Sequence, residues 1–429
     1  MGFWKKTIHD IDISDKTVLL RADYNVPLAN GVITDDFRIE QSLPTIQFLI
    51  ERNCKIIVCS HLGRPESKKD LQYSLKPVAE RLAELAKRDV DFAEDCIGDE
   101  AKEKSAQLQS GQILLLENLR FYKEEDKNDD EFAQSLAGLA EVFVQDAFGV
   151  VHRAHASTDA ITRHITSVAG LLLEKEVATI TGVMDDPKRP LAAIIGGSKI
   201  SDKIDILNRF IDIADFVAVG GAMANTFLLA QGIDIAKSKA DLDDVPLAKE
   251  IIKKAGERSK NGHFVFYLPQ DGVVASNVDK VAKTRIVDWD AHVIADIQNY
   301  PKHVPKEATR IDEDEMILDI GPFSGAFIAG CLQLANTVVW NGSMGVTEIA
   351  GLQGPVGPFS HGTDLIVDAM IGGHGHKPFT VVGGGDTVGY IESRKLSGNF
   401  DHVSTGGGAS MELMSGKQLP GVEALQNRD

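Results

Sequence analysis

Leu191-Ala192-Ala193-Ile194-Ile195-Gly196-Gly197-Ser198-Lys199-Ile200-Ser201-Asp202-Lys203 joins an unbroken apolar run to two glycines, two lysines and a helical pattern continued by Ile204, Leu207 and Ile211. A short continuous apolar run marks a strand buried on both faces of a parallel sheet. In such sheets the loops at the carboxyl ends of the strands hold the ligands. The same unit recurs downstream: GGAMAN (220–225) follows Phe216 to Val219, NGSMG (341–345) follows Val338 to Trp340, and GGGDT (383–387) follows Thr380 to Val382. Upstream the runs end differently. RADYNVP (21–27), SHLGRP (60–65), ENLRF (117–121) and QDAFGVVHRAH (145–155) carry cations and polar groups where the later loops carry glycine.

Helical patterns such as Pro77 to Lys87 (Val78, Leu82, Leu85) separate the runs. Alternation of this kind predicts an α/β protein with two Rossmann-like domains, each a parallel sheet covered by helices on both faces. A chain of 429 residues has length for two cores, at roughly 150 residues per domain. The boundary falls in the amphipathic stretch from about Leu171 to Met184, closed by Asp185-Asp186-Pro187. The expected division is 1–170, a joining helix and hinge at 171–188, and 189–410. The stretch 277–315, charged and weakly periodic, reads as a surface excursion.

Net charge is −18 and the isoelectric point about 5.1, which argues against nonspecific binding to nucleic acid or an anionic membrane. No apolar stretch reaches the roughly 18 residues that span a bilayer, and the first 20 residues lack a signal-peptide core, so a cytoplasmic protein is expected. Cys54, Cys59, Cys96 and Cys331 form no CxxC pair and read as reduced thiols. His152, His155, His374 and His376 lack a third ligand at motif spacing, so a metal reading of the histidines is set aside.

Neither GxxxxGK[ST] nor GxGxxG occurs, which removes a P-loop nucleotidase and takes the main support from a nicotinamide dehydrogenase. The glycine loops offer backbone N–H groups to an anion instead. Ser201 is placed to cap the following helix, and Lys199 and Lys203, four apart, to add charge on one side of its start. The plain alternative is a strand-to-helix turn with two solvated lysines. Asp386 is placed to hold Mg²⁺ near phosphate oxygens, and Gly406-Gly407-Gly408 forms a third candidate anion nest. In the first half, Arg21, Arg38, His61, Arg64, Arg120, Arg153 and His155 adjoin strand ends, with Asp23 and Asn25 in the same loops. Arginine forks converging in this way suit a small, multiply anionic metabolite. For each arginine alone, a surface ion pair is the competing reading.

These residues resemble the phosphoglycerate kinase family. The matching stretches are RADYNVP, SHLGRP, ENLRF, DAFGVVHRAHAST (146–158), GGSKISDKI (196–204), GGAMANTFL (220–228), DIGP (319–322), WNGSMGV (340–346), VVGGGDT (381–387) and STGGGASMELMSGKQLPGV (404–422), in the family's order. The resemblance implies reversible phosphoryl transfer from 1,3-bisphosphoglycerate to ADP, giving 3-phosphoglycerate and ATP. It implies Asp23, Asn25, Arg38, His61, Arg64, Arg120 and Arg153 as phosphoglycerate contacts. It implies Gly197, Ser198, Lys199, Lys203, Gly220, Asn341, Glu348, Gly384, Gly385, Asp386 and Thr387 as nucleotide contacts, with Asp386 associated with magnesium. Arg38, Lys199, Gly384 and Gly407 would act on the transferring group, in line and after closure of the two domains. A tail at 411–429 is expected to return to the N-terminal domain, and the protein to be a monomer.

Departures from the family's usual pattern are Ser198 for alanine, Ser343 for proline in WNGPMG, Gln145 before DAFG, Phe323 after DIGP, and IGGHGHKP at 371–378. A binding protein that keeps the ligands without turnover is the rival that these departures support. Intact Arg38, Lys199 and Asp386 count against it.

Overall fold

The computed structural model describes residues 2–68, 70–289 and 309–428. The chain divides into two units: residues 1–181 with 408–429, and residues 182–407. In the first, β1 (Thr17–Arg21) precedes a small hairpin of β2 (Leu28–Ala29) and β3 (Val32–Ile33). Then come β4 (Lys55–Cys59), β5 (Val90–Ala93), β6 (Ile113–Leu116), β7 (Val142–Gln145) and β8 (Thr166–Ala169). Six of these strands make a parallel sheet in the order β5-β6-β4-β1-β7-β8.

Alternation along each strand feeds two cores. Val18 and Leu20, Ile56 and Val58, and Ile113 and Leu115 enter one apolar cluster. Leu19, Ile57 and Cys59, and Leu114 and Leu116 enter the other. A period of two with both faces apolar is why these segments read as unbroken runs. Helices Phe37–Glu51, Lys76–Ala86, Asp99–Gln107 and Asp130–Ala137 lie between the strands in sequence.

The second unit contains β9 (Leu191–Ile195), β10 (Phe216–Val219), β11 (Val265–Tyr267), β12 (Asp271–Ala275), β13 (Arg285–Asp288), β14 (Met316–Ile320), β15 (Thr337–Asn341), β16 (Phe379–Gly383) and β17 (His402–Val403). Its main sheet is parallel, in the order β11-β10-β9-β15-β16-β17. Counted along the chain, these six strands run 3-2-1-4-5-6, the doubly wound order whose crevice lies where the direction of winding reverses, between β9 and β15. Trp340, fully buried next to the last residue of β15, packs with Ile194 and Val382 in the same core. The remaining strands form an antiparallel sheet in the order β13-β12-β14.

The helix Leu171–Asp185 carries the chain from one unit to the other. Asp146 holds its start: Oδ1 accepts the N–H groups of Leu172 and Leu173 at 2.9 and 3.1 Å. The expected excursion at 277–315 contributes β13, while residues 290–308 of it lie outside the described residues. In the first unit the C-terminal tail buries Leu419, Val422 and Leu425. Lys5, itself buried, donates to the Glu423 carbonyl and to Asn427 Oδ1 at 2.7 and 2.8 Å.

Candidate active site

In the first unit the sheet reverses its winding at β1, between β4 and β7, and the segments leaving these three strands and β6 carry the cations. Arg38, second residue of the helix Phe37–Glu51, donates through Nη1 to Asp23 Oδ2 at 2.9 Å and to the Asn25 carbonyl at 3.3 Å. Asp23 Oδ1 accepts the Asn25 N–H, and Asn25 Oδ1 accepts the Gly63 N–H at 2.8 Å. Arg120, in the turn Leu119–Phe121 after β6, donates to the Gly63 carbonyl at 2.9 Å. Asp23, Asn25, Arg38 and Arg120 thus share one connected network, with the buried His61 3.9 Å from Asp23.

Burial holds the His61 imidazole well below its ordinary value, and Arg21, Arg120 and Arg38 push the same way. Burial likewise lowers Arg120, with Arg21 and Arg153 adding to the effect against Asp126. Cations that depress one another in this manner form a site short of negative charge. Arg64 and Arg153 are exposed; Arg153 donates through Nε to His152 Nε2 at 3.2 Å.

Two members of the sequence set do other work. Arg21 is fully buried, donating to Ser157 Oγ at 2.8 Å and to the Ala22 carbonyl, 3.9 Å from Glu125. Ser157 in turn donates to both Glu125 oxygens. This ion pair supports the loop from within, a role that the strand-end position of Arg21 did not reveal. His155 is buried 3.5 Å from Asp126, and burial lowers it to about 4, so it is neutral and shapes the loop.

In the second unit the crevice between β9 and β15 is where Lys203 sits. Its Nζ donates to the Asn341 carbonyl at 3.0 Å and to Asn341 Oδ1 at 2.5 Å. Burial pushes the ammonium down to about 8, against Asp386 and Asp202, which raise it. Asn341 is fully buried, and its Nδ2 has no hydrogen-bond partner among the described residues. Lys199 does not share that side: it is 52% exposed and pairs with Asp241 Oδ2 at 2.9 Å. Ser201 does not cap a helix. It opens a 3-10 turn, Ser201–Lys203, ahead of the helix Ile204–Ile213, and its N–H goes to Asp244 Oδ2 at 2.9 Å.

The glycines divide into two groups. At Gly196 a Cβ would lie 2.0 Å from the Ser343 carbonyl oxygen, and at Gly220 2.3 Å from Met344 Sδ. These residues let strand-end loops pack on one another. Gly385 has open space, and Gly407 meets only the Gly385 nitrogen at 3.4 Å. Gly384, at φ 93°, precedes the helix Gly385–Ser393, whose start has no side-chain cap among the described residues. Backbone donors are therefore open at Gly384–Gly385, beside the side chain of Asn341. Asp386 is exposed in the first turn of this helix, and Thr387, buried, accepts the Gly342 N–H at 2.7 Å.

A cavity of about 470 Å³ adjoins this crevice, lined by Gly197, Ser198, Ser343, Glu348 and Asp386 on its polar side. Leu228, Met316, Leu318 and Trp289 supply an apolar wall. The wall comes from helix Ala222–Ala230, from β14 and from Trp289 just after β13; GGAMANTFL contains Leu228 but did not mark it as a lining residue. Asp271 and Asp319, also on the lining, cap helices: Asp271 accepts the Phe323 and Ser324 N–H groups, and Asp319 the Gly362 N–H. Among the described residues no cluster of three His, Cys, Asp or Glu could cage a metal ion, and no helix is long and apolar enough to cross a membrane.

The fold and these crevices define an α/β protein with two units, one presenting a cationic cluster at its strand ends and the other lysine and open amides. The family model of phosphoglycerate kinase matches residues 8–417. The phosphoglycerate kinases of Chloroherpeton thalassium and Pelotomaculum thermopropionicum are 45% and 43% identical over 424 residues, covering 99% of this chain and 99% and 100% of theirs. The structure of phosphoglycerate kinase from Coxiella burnetii superposes with a TM-score of 0.80 at 35% identity, and that from Pyrococcus horikoshii with 0.81 at 29%, each covering 98% of both chains. The chain belongs to the phosphoglycerate kinase family. Its activity is that of a glycolytic kinase that exchanges a phosphoryl group between a carboxyl group and a nucleotide.

Proposed function

We propose that the first unit binds 3-phosphoglycerate through Asp23, Asn25, Arg38, His61, Arg64, Arg120 and Arg153. The second binds ADP or ATP through Gly197, Ser198, Lys199, Lys203, Asn341, Glu348 and the loop Gly384–Thr387, while Gly220, its N–H bonded to the Ile195 carbonyl at 3.0 Å, supports that site by packing. The observation that carries this reading is the pairing of Lys203 with Asn341 at the winding reversal of the second sheet, next to the open backbone of Gly384 and Gly385. A desolvated ammonium, a buried amide donor and uncapped helix N–H groups suit phosphate oxygens. The apolar wall of the neighbouring cavity suits a nucleobase.

Mg²⁺ would be held by Asp386, exposed in the first turn of the helix Gly385–Ser393, because this ion accepts one carboxylate with water and substrate phosphate oxygens. When bound it neutralises charge on the phosphates. The attacking oxygen, on ADP or on a carboxylate, is already anionic, so the protein needs no strong base. Its work is positioning and charge compensation, in which Arg38 and Lys199 flank the transferring group and Gly384 and Gly407 offer N–H groups. Transfer in line after closure of the units, a monomeric state and a cytoplasmic location complete the proposal.

The test separates the two ligands. Titration calorimetry of the whole protein with 3-phosphoglycerate and, separately, with ADP should show Arg38→Ala losing the first and keeping the second, and Lys203→Ala the reverse. A crossed result overturns the assignment. Turnover is followed as 3-phosphoglycerate-dependent ATP consumption, which Lys199→Ala should impair.

A further inference from the structure

Lys199 and Lys203 come from one motif yet have unlike surroundings. Lys203 is held inside the crevice by Asn341, whereas Lys199 turns out to Asp241 at 2.9 Å. The cavity is lined by their neighbours Gly197 and Ser198, with neither Lys199 nor Asp241 on its wall.

Asp241 is fixed in place. Its N–H donates to Thr226 Oγ1 at 3.1 Å, and its Oδ1 accepts the Asp243 N–H at 3.2 Å. Three residues on, the buried Asp244 grips the Ser201 N–H, so one acidic segment is tied to the lysine loop at two points. The side chain of Asp241 is 20% exposed and that of Lys199 52%. Of the two, the long flexible cation is the one able to swing.

Resting on the assignment of Lys199 to the nucleotide phosphates, we propose that Asp241 is a positioning residue that competes with those phosphates for the Lys199 ammonium. The carboxylate draws the cation off the cavity, and a phosphoryl group that engages Lys199 takes it from Asp241. Asp241 therefore weakens nucleotide binding, and product nucleotide leaves against a waiting counter-charge. Because the lysine alone moves, the effect belongs to the nucleotide and leaves phosphoglycerate untouched.

The experiment measures ADP affinity by calorimetry and the KM values of both substrates in wild type, Asp241→Asn, Asp241→Glu, Lys199→Ala and the double variant Lys199→Ala/Asp241→Asn. Thermal melts verify that each is folded. Expected is a nucleotide Kd and KM lowered about two- to five-fold in Asp241→Asn, the scale of an exposed ion pair, with the phosphoglycerate KM unmoved. Asp241→Glu should restore wild-type affinity, and Asp241→Asn should do nothing on the Lys199→Ala background. An unchanged or weakened nucleotide affinity in Asp241→Asn, or equal tightening on the Lys199→Ala background, overturns the proposal while Lys199→Ala remains impaired. If Lys199→Ala itself leaves nucleotide affinity and turnover intact, the underlying assignment of Lys199 falls, and this proposal with it.

Discussion

Lys203 Nζ lies 3.0 Å from the backbone carbonyl of Asn341 and 2.5 Å from its side-chain oxygen, a bridge across the two loops at the winding reversal of the second sheet. It commits the asparagine oxygen to the lysine and leaves the amide nitrogen as a buried donor. Lys203→Ala removes a desolvated charge and the constraint on that donor together. Turnover should fall on the order of 10²–10³, by analogy with loss of a preorganised donor to developing charge. A fall below ten-fold in kcat would contradict this role.

The same lysine predicts a pH dependence. Burial brings the folded-state ammonium to about 8, below its ordinary 10.5, so the cation is present below that pH and lost above it. The nucleotide kcat/KM, which reports the free enzyme, should therefore decline as pH rises through about 8. In Lys203→Arg, whose guanidinium does not titrate there, the decline should vanish even though the absolute rate is lower.

Asp319 gives a prediction about stability. Burial pushes its carboxyl up to about 8 from an ordinary 3.8, despite N–H donors from Gly362 and Ile320. The folded chain thus keeps a proton that the unfolded chain has lost, and folding takes up a proton between those values. The associated stabilisation is complete below about pH 4 and disappears as pH approaches 8, with a slope of at most ~1.4 kcal/mol per pH unit. Melting of Asp319→Asn should show a shallower decline between pH 5 and pH 8 than wild type. Parallel profiles would refute the raised value.

Gly196→Ala and Gly385→Ala should part company. The first drives a methyl group to 2.0 Å from the Ser343 carbonyl oxygen, backbone against backbone. Overpacking of that kind costs about 1–3 kcal/mol or more, visible as a lowered Tm of the second unit. The second meets nothing within 4 Å, so its Tm should hold while the nucleotide KM rises, because the methyl group occupies space proposed for phosphate. Equal losses of stability would remove the distinction between packing and binding glycines.

Leu425→Ala tests the tail. The side chain is 3% exposed in the first unit, and truncation of a buried leucine costs about 2–5 kcal/mol. A denaturation midpoint indistinguishable from wild type would show that the tail adds nothing to that unit's stability.

The cationic strand ends of the first half and the glycine strand ends of the second were legible because a parallel strand buried on both faces has a simple signature and its carboxyl end a fixed topological meaning. The motifs named the family for the same reason. Roles of residues inside those motifs were less legible. Arg21 and Arg38 both adjoin the same strand-end cluster, yet one is sealed against Glu125 and the other reaches Asp23. Lys199 and Lys203 share a motif, yet diverge to Asp241 and Asn341. Asp319 and Leu228 lie inside quoted motifs that gave them no role, and Asp271 and Trp289 carried no local signal at all. The sequence by itself determined the central parallel strands and the chemistry available at their ends, since these depend on residues near in the chain, while the sheet order and the antiparallel β13-β12-β14 sheet came from the structure. Only the tertiary structure decided which charges are paired, which are desolvated and which glycines are left open, because those properties belong to neighbours brought together across tens or hundreds of residues.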